Sequence, residues 1–222
     1  MSASAGLIGF DELPSILPVF PLSGALLLPR GRLPLNIFEP RYLAMVRDAM
    51  AGHRLIGMVQ PLDSHSREAE PAIFQVGCAG KITAFSETGD GRFMITLTGI
   101  GRFRIATELA RVTPYRQVVA DFAAYAADFD PPPEPSGFER SRLYPVLRSY
   151  LELHGLNADW QAIERAPAEP LVNALAMICP FSPAEKQALL EAEDLSARAD
   201  AMITLLGMAV AARPGEPETP LQ

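Results

Sequence analysis

The stretch "PLNIFEPRYLAMV", residues 34–46, joins two kinds of element with no loop between them. Leu35-Asn36-Ile37-Phe38 reads as a strand, and Arg41 to Val46 begins a helix. Glu39-Pro40 stands at the change of period. Pro40 fits the first position of a helix, where its missing N–H costs nothing. Glu39 places negative charge at the positive end of the helix dipole. Arg41 and Glu39 are then close enough to position each other or to tie the helix start to the strands. Polar residues at a helix start usually cap it, so this reading is structural first, with ligand binding as the sharper alternative.

Upstream, Ile16 to Pro29 carries no charge. It falls short of the roughly 20 apolar residues of a membrane helix and is broken by prolines. Asp11 and Glu12 precede it, where an export signal would carry basic residues. The expectation is a cytoplasmic protein with neither an export signal nor a membrane span. Cys78 and Cys179 lie far apart in apolar surroundings. They form no metal or disulfide spacing and read as reduced core residues.

Downstream, the runs are short and strand-like. Leu17–Leu22, whose prolines suggest a sheet edge, is followed by Leu33–Phe38, Leu55–Gln60 and Phe74–Phe85. Asp90-Gly91 supplies a hairpin turn before Phe93-Met94-Ile95-Thr96-Leu97, whose odd positions are apolar. Gly99 and Gly101 suggest a bulge or bend, and Phe103 and Ile105 resume the alternation. Tyr115–Tyr125 reads as the last strand. Six bent strands with one short helix after the second point to a small, partly closed barrel.

Residues 128–137, "DFDPPPEPSG", read as a proline-rich linker, because three consecutive prolines donate no backbone hydrogen bonds. The expected organisation is a β-rich part over 13–127, this linker, a helical bundle over 138–211, and a disordered tail over 212–222. Within the bundle, Ser182, Pro183 and Glu185 spell a capping box. Leu195, Ala199, Met202, Leu206 and Val210 share one face of the last helix.

Charge separates along the chain. Residues 1–127 carry 12 basic and 11 acidic side chains, and residues 128–222 carry 7 and 15, within a net charge of -7. This is not the footprint of a nucleic-acid binder.

"LPVFPL", "LPLNIFEPRY" and the following helix resemble the opening of the LON substrate-binding domain of Lon-type ATP-dependent proteases. "GIGRFRI" with "PYRQVVADF", and the helical "FSPAEKQALLEAEDLSARADAMITLL", are similar to later parts of that domain. The resemblance spans residues 13 to about 211. It implies an α+β fold, a PUA-like β pseudo-barrel with one inserted helix followed by a C-terminal α-helical bundle. It also implies a bacterial-type module that recognises polypeptide, performs no chemistry and can support homo-oligomer assembly. The sequence contains no GxxxxGK[ST] phosphate loop. The chain is therefore expected to act as a stand-alone module, without ATPase or protease parts.

Lys186 lies one helical turn after Ser182, the spacing a Ser–Lys pair needs. Ser182 reads better as an N-cap, and a solvated Lys186 keeps its proton and makes a poor base. Lys81 is expected exposed. His53 and His154 sit beside glycines at helix ends, and His65 lies in a loop; no metal-ligand spacing links them. Arg102 and Arg104 fall on the face opposite Phe103 and Ile105, expected solvated and paired with surface acids. The leading expectation is a non-catalytic polypeptide-binding module, with no cofactor, metal or membrane partner. Phe38, Arg41 and Tyr42 would line or support a groove between barrel and helices. The rivals are a hydrolase working in that cleft and an RNA binder by analogy with PUA-type barrels.

Overall fold

Phe103 fixes the centre of the strand core. Its fully buried ring lies where a Cβ on Gly57 or Gly77 would stand only 2.8 or 2.7 Å away. These two strand positions lack side chains because the ring already fills the space above them. In the computed structural model, which describes residues 9–63, 70–130 and 138–212, Leu17, Val19, Val59, Ile105, Val118 and Ala120 pack in the same cluster. They come from four of the strands that enclose it.

The strands are β1 (Ile16–Pro21), β2 (Arg32–Ile37), β3 (Leu55–Val59), β4 (Val76–Glu87), β5 (Phe93–Glu108) and β6 (Arg116–Asp121). They run in the order β2-β5-β4-β3-β1-β6, and β5 pairs again with β6, which closes a ring. Among the described residues only β1 and β3 pair in parallel. The fold is α+β with a barrel-like ring of strands, as the resemblance implied. The inserted helix is also present, as α1 (Pro40–Ala51). It buries Tyr42, Met45, Val46 and Ala49, the one-sided spacing of an amphipathic helix.

Strand β5 runs through both glycines without a break. Ala79 faces Gly101 while Gly80 faces Gly99, so Ile100 is the extra residue of a bulge. A Cβ on Gly99 would lie 2.0 Å from the carbonyl oxygen of Leu28. The bulged strand pairs with β2 along its first half, with β4 as far as Arg104, and with β6 at its end.

Two strand expectations change. β1 is not an edge; it lies between β3 and β6. Its prolines are tolerated because Pro18 faces Gln117 of β6 before pairing with β3 begins at Val19, and Pro21 ends the strand. β6 stops at Asp121, and Ala123–Phe129 turns into a 3-10 segment.

The remaining helices are α2 (Arg140–Leu153), α3 (Trp160–Arg165), α4 (Ala168–Ile178), α5 (Pro183–Glu191) and α6 (Leu195–Ala211). The chain forms two compact units. Residues 173–191 belong with the strands, and residues 138–172 and 192–212 make the other unit. The helices expected to form one bundle are thus divided. The α5 segment stays with the barrel because Gln187 Nε2 donates to Val76 O at 3.0 Å and Gln60 Nε2 donates to Pro183 O at 3.1 Å. In the second unit α2 buries Leu143, Leu147 and Tyr150, and α6 buries Ala199, Met202 and Leu206. Arg142 pairs with Asp200 at 2.7 Å between these two helices. The tail at 213–222 and the prolines at 131–133 lie outside the described residues.

Candidate functional site

At the strand-to-helix junction, Glu39 is the N-cap residue in extended conformation, with Pro40 first in the helix. Its backbone oxygen accepts the N–H groups of Tyr42 and Leu43, each at 2.9 Å. Its carboxylate caps no backbone group; it takes Arg41, whose Nε donates to Oε2 at 2.9 Å. The guanidinium carbon of Arg41 stands 4.5 Å from the centre of the Tyr42 ring. Tyr42 is buried against Phe20, ring centres 4.2 Å apart, and burial raises its phenol pKa.

The three residues singled out in the sequence therefore differ in placement. Phe38 is 61% exposed, Arg41 is half-buried, and Tyr42 lies in the core. Only the first two can meet a ligand directly; Tyr42 fixes the helix that carries Arg41. Phe38 has Arg92 near its ring, at 5.9 Å.

Phe38 follows an edge. Strand β2 pairs only with β5 among the described residues. The N–H of Gly99 donates to Gly31 O at 2.8 Å, which sets the phase of the ladder. Leu33, Leu35 and Ile37 then bond to β5, while Arg32, Pro34 and Asn36 turn their backbone groups outward. Pro34 fits this phase, since it has no N–H to offer β5. Opposite Asn36 stands Met94, 43% exposed. Exposed Met94 was missed in the sequence, although its even position in Phe93–Leu97 already set it apart from the buried face.

The candidate Ser–Lys pair takes another form. Ser182 caps α5 as expected: its Oγ accepts Glu185 N–H at 3.3 Å, and Glu185 Oε2 accepts Ser182 N–H at 2.7 Å. Lys186 is buried, not solvated. Its ammonium donates to Gly24 O at 2.6 Å and Met177 O at 3.3 Å. Burial lowers its pKa, an effect that nearby Cys179 opposes. Its protons are engaged by carbonyls, which is how a structural cation is held.

Arg102 is also buried rather than solvated, because the 3-10 segment brings Asp128 over the outer face of β5. Arg104 is exposed, and Lys81 is half-buried rather than exposed. Both cysteines are buried thiols outside any disulfide. His53 and His154 follow the ends of α1 and α2, and His65 lies outside the described residues. Among the described residues no three His, Cys, Asp or Glu side chains gather as metal ligands, and no helix is long and apolar enough to cross a membrane.

Comparison with known proteins gives a consistent result. The family model described as ATP-dependent protease La (LON) substrate-binding domain matches residues 16–207. Lon protease 2 of Myxococcus xanthus is 27% identical over 209 residues, covering 92% of this chain and 25% of the relative. A Lon protease of Desulfosudis oleivorans is 25% identical, over 85% of this chain and 23% of that protein. The chain thus spans about a quarter of the length of these relatives. Among solved structures, the Lon N-terminal domain protein from Xanthomonas campestris superposes with a TM-score of 0.59 at 23% identity, covering 86% of this chain and 98% of that one. The N-terminal domain of a Mycobacterium avium complex Lon protease gives 0.55 at 15% identity, covering 89% and 98%. At these identities the structural likeness speaks for the fold.

Proposed function

The chain belongs to the LON substrate-binding domain family, and from that membership we propose that it is a non-catalytic polypeptide-binding module that holds extended chain along the open edge of β2. The observation that carries the reading is the exposed Phe38 at the end of an edge strand whose outward backbone groups have no strand partner among the described residues. An added strand would bond to the outward groups of Arg32 and Asn36 and to the Pro34 carbonyl. Pro34 removes the central donor and guards the edge against indiscriminate pairing. Selectivity then falls to side chains, with Phe38 and Met94 as apolar contacts and Arg41 as a half-exposed cation.

Lys186, engaged by two carbonyls, speaks against the hydrolase rival. The test is titration of a fluorescently labelled unfolded protein with the full chain. Saturable binding with little salt dependence is expected, because apolar and backbone contacts dominate. Phe38→Ser should weaken it about fivefold or more, by loss of a largely desolvated aromatic contact, with the melting temperature unchanged. No saturable polypeptide binding, with RNA bound on a steep salt slope, would replace this reading by the PUA-like one.

A further inference from the structure

A cavity of about 210 Å³ opens beside the C-terminal end of α1, lined by β1, the start of β3 and the start of β6. Its apolar wall includes Pro14 and Pro18, both half-buried, and Ile16, which is 46% exposed at the lip. Among the described residues that line it, Asp48 is the one carboxylate and His53 the one basic residue. Tyr115 donates its hydroxyl to Asp48 Oδ2 at 2.7 Å from a buried position. Asp48 Oδ1 bonds to no described residue. The last turn of α1 borders the cavity through Ala49 and Gly52, so the negative end of the helix dipole adds to the carboxylate.

These features select one kind of occupant. The volume is below the roughly 300–1,000 Å³ of pockets that enclose a drug-sized ligand. It suits a single long side chain. An apolar wall leading to one oriented carboxylate matches an aliphatic stem that ends in a cation. An anion would be repelled by Asp48 and the helix end, and a purely apolar group would displace water from the exposed Asp48 Oδ1 without offering it a hydrogen bond.

We propose that this cavity takes the cationic head of a lysine or arginine side chain from a bound polypeptide, with the stem against Pro14, Ile16 and Pro18 and the head at Asp48 Oδ1. Tyr115 acts as a positioning residue that holds the carboxylate. The polypeptide as carrier rests on the function proposed above; the cavity's choice of a cation does not, and the two are tested apart.

The first arm titrates n-butylammonium, with n-butanol as the neutral control, into the full chain and follows Tyr115, Asp48 and Gly52 by NMR. Saturable shifts are expected there with n-butylammonium, and about tenfold weaker binding in Asp48→Asn, the scale of one hydrogen bond to a charged group. Equal response to n-butanol, or no saturable shift at Tyr115, overturns the proposal whatever the polypeptide does. The second arm compares an unfolded polypeptide with its lysine-acetylated, arginine-free form. Acetylation should weaken binding to the native chain and make less than about a twofold difference to Asp48→Asn, once the charged hydrogen bond is gone. If acetylation weakens binding to both proteins equally, the lysine is not read at this cavity and the proposal fails. If n-butylammonium binds at Tyr115 but no polypeptide binds anywhere, the cation site stands and the polypeptide-binding function is overturned.

Discussion

Arg102 and Asp128, 26 residues apart, meet in two parallel hydrogen bonds, Nε to Oδ2 and Nη2 to Oδ1, both 2.8 Å. The backbone N–H of Arg102 reaches the same Oδ2 at 2.9 Å. Its remaining nitrogen Nη1 donates to Leu190 O at 3.2 Å, and the Tyr125 ring lies 4.5 Å away. One side chain thus joins β5, the 3-10 segment and α5. Burial opposes the charge of Arg102, but the hydrogen bonds and charge of Asp128 outweigh it and raise the guanidinium pKa.

Breaking this pair from one side should be costly. Both side chains are less than a tenth exposed, so a lone survivor would be a buried charge. Asp128→Ala is expected to lower unfolding free energy by about 3–5 kcal/mol in urea denaturation at neutral pH. Arg102→Met combined with Asp128→Leu should cost less than either change alone, because it leaves no unpaired charge. A loss under about 1 kcal/mol for Asp128→Ala would place the pair with ordinary surface ion pairs.

A second expectation concerns the bulge in β5. Gly99→Ala drives a Cβ against the Leu28 carbonyl, a backbone atom that no rotamer change can move. The N–H and carbonyl of Gly99 also bond to Gly31 O and Arg30 N, which fixes the strand in place. The cost should be about 1–3 kcal/mol or more. Gly89→Ala, with nothing within 4 Å of its Cβ, is the control and should be near neutral. Equal melting temperatures for the two variants would mean that β5 shifts freely at the bulge.

These two sites mark what the sequence could and could not tell. Alternation in Phe93–Leu97, the Asp90-Gly91 turn and the Ile37-to-Pro40 junction are local, and each describes an element that formed. The capping box at Ser182 is local too. Burial of Arg102 is not, because the acid that covers it stands 26 positions away in a stretch that reads as linker. Lys186 is hidden for the same reason: its acceptors are Gly24, 162 residues earlier, and Met177. Alternation assigns each residue to a face of the strand but does not say which faces a distant segment will cover. At the candidate site, Phe38 and Arg41 were legible from the junction, whereas the open edge of β2 required the whole strand order.

Tyr115 gives a test at alkaline pH. Burial first, then its hydrogen bond to Asp48 and that carboxylate's charge, push the phenol from 10.0 up to about 12. The folded state therefore keeps a proton that the unfolded chain releases. This contribution to stability is fully present below pH 10 and is lost as pH rises toward 12. Tyr42 and Tyr125 are also raised, so they add slopes of the same sign. The native chain should accordingly lose stability faster than Tyr115→Phe over that interval, measured by denaturant midpoint at each pH. Parallel curves for the two proteins would show that Tyr115 ionises as it does in the unfolded chain.

The Ser182 hydroxyl separates a cap from a nucleophile. As a cap it satisfies one backbone N–H of α5, and Glu185 returns the bond to Ser182 N–H. Ser182→Ala should then cost about 0.5–2 kcal/mol of stability, as loss of an N-cap does. Because the two bonds form one reciprocal box, Ser182→Ala and Glu185→Ala should be less than additive in a double-mutant cycle. A nucleophile would behave otherwise. It would need a neighbouring base with a free lone pair, and Lys186 donates its protons to Gly24 O and Met177 O instead. Purified protein should therefore leave unfolded casein intact, and Ser182→Ala should bind labelled unfolded protein as well as the native chain does. A casein-degrading activity that survives purification and disappears in Ser182→Ala, with stability unchanged, would reverse the assignment.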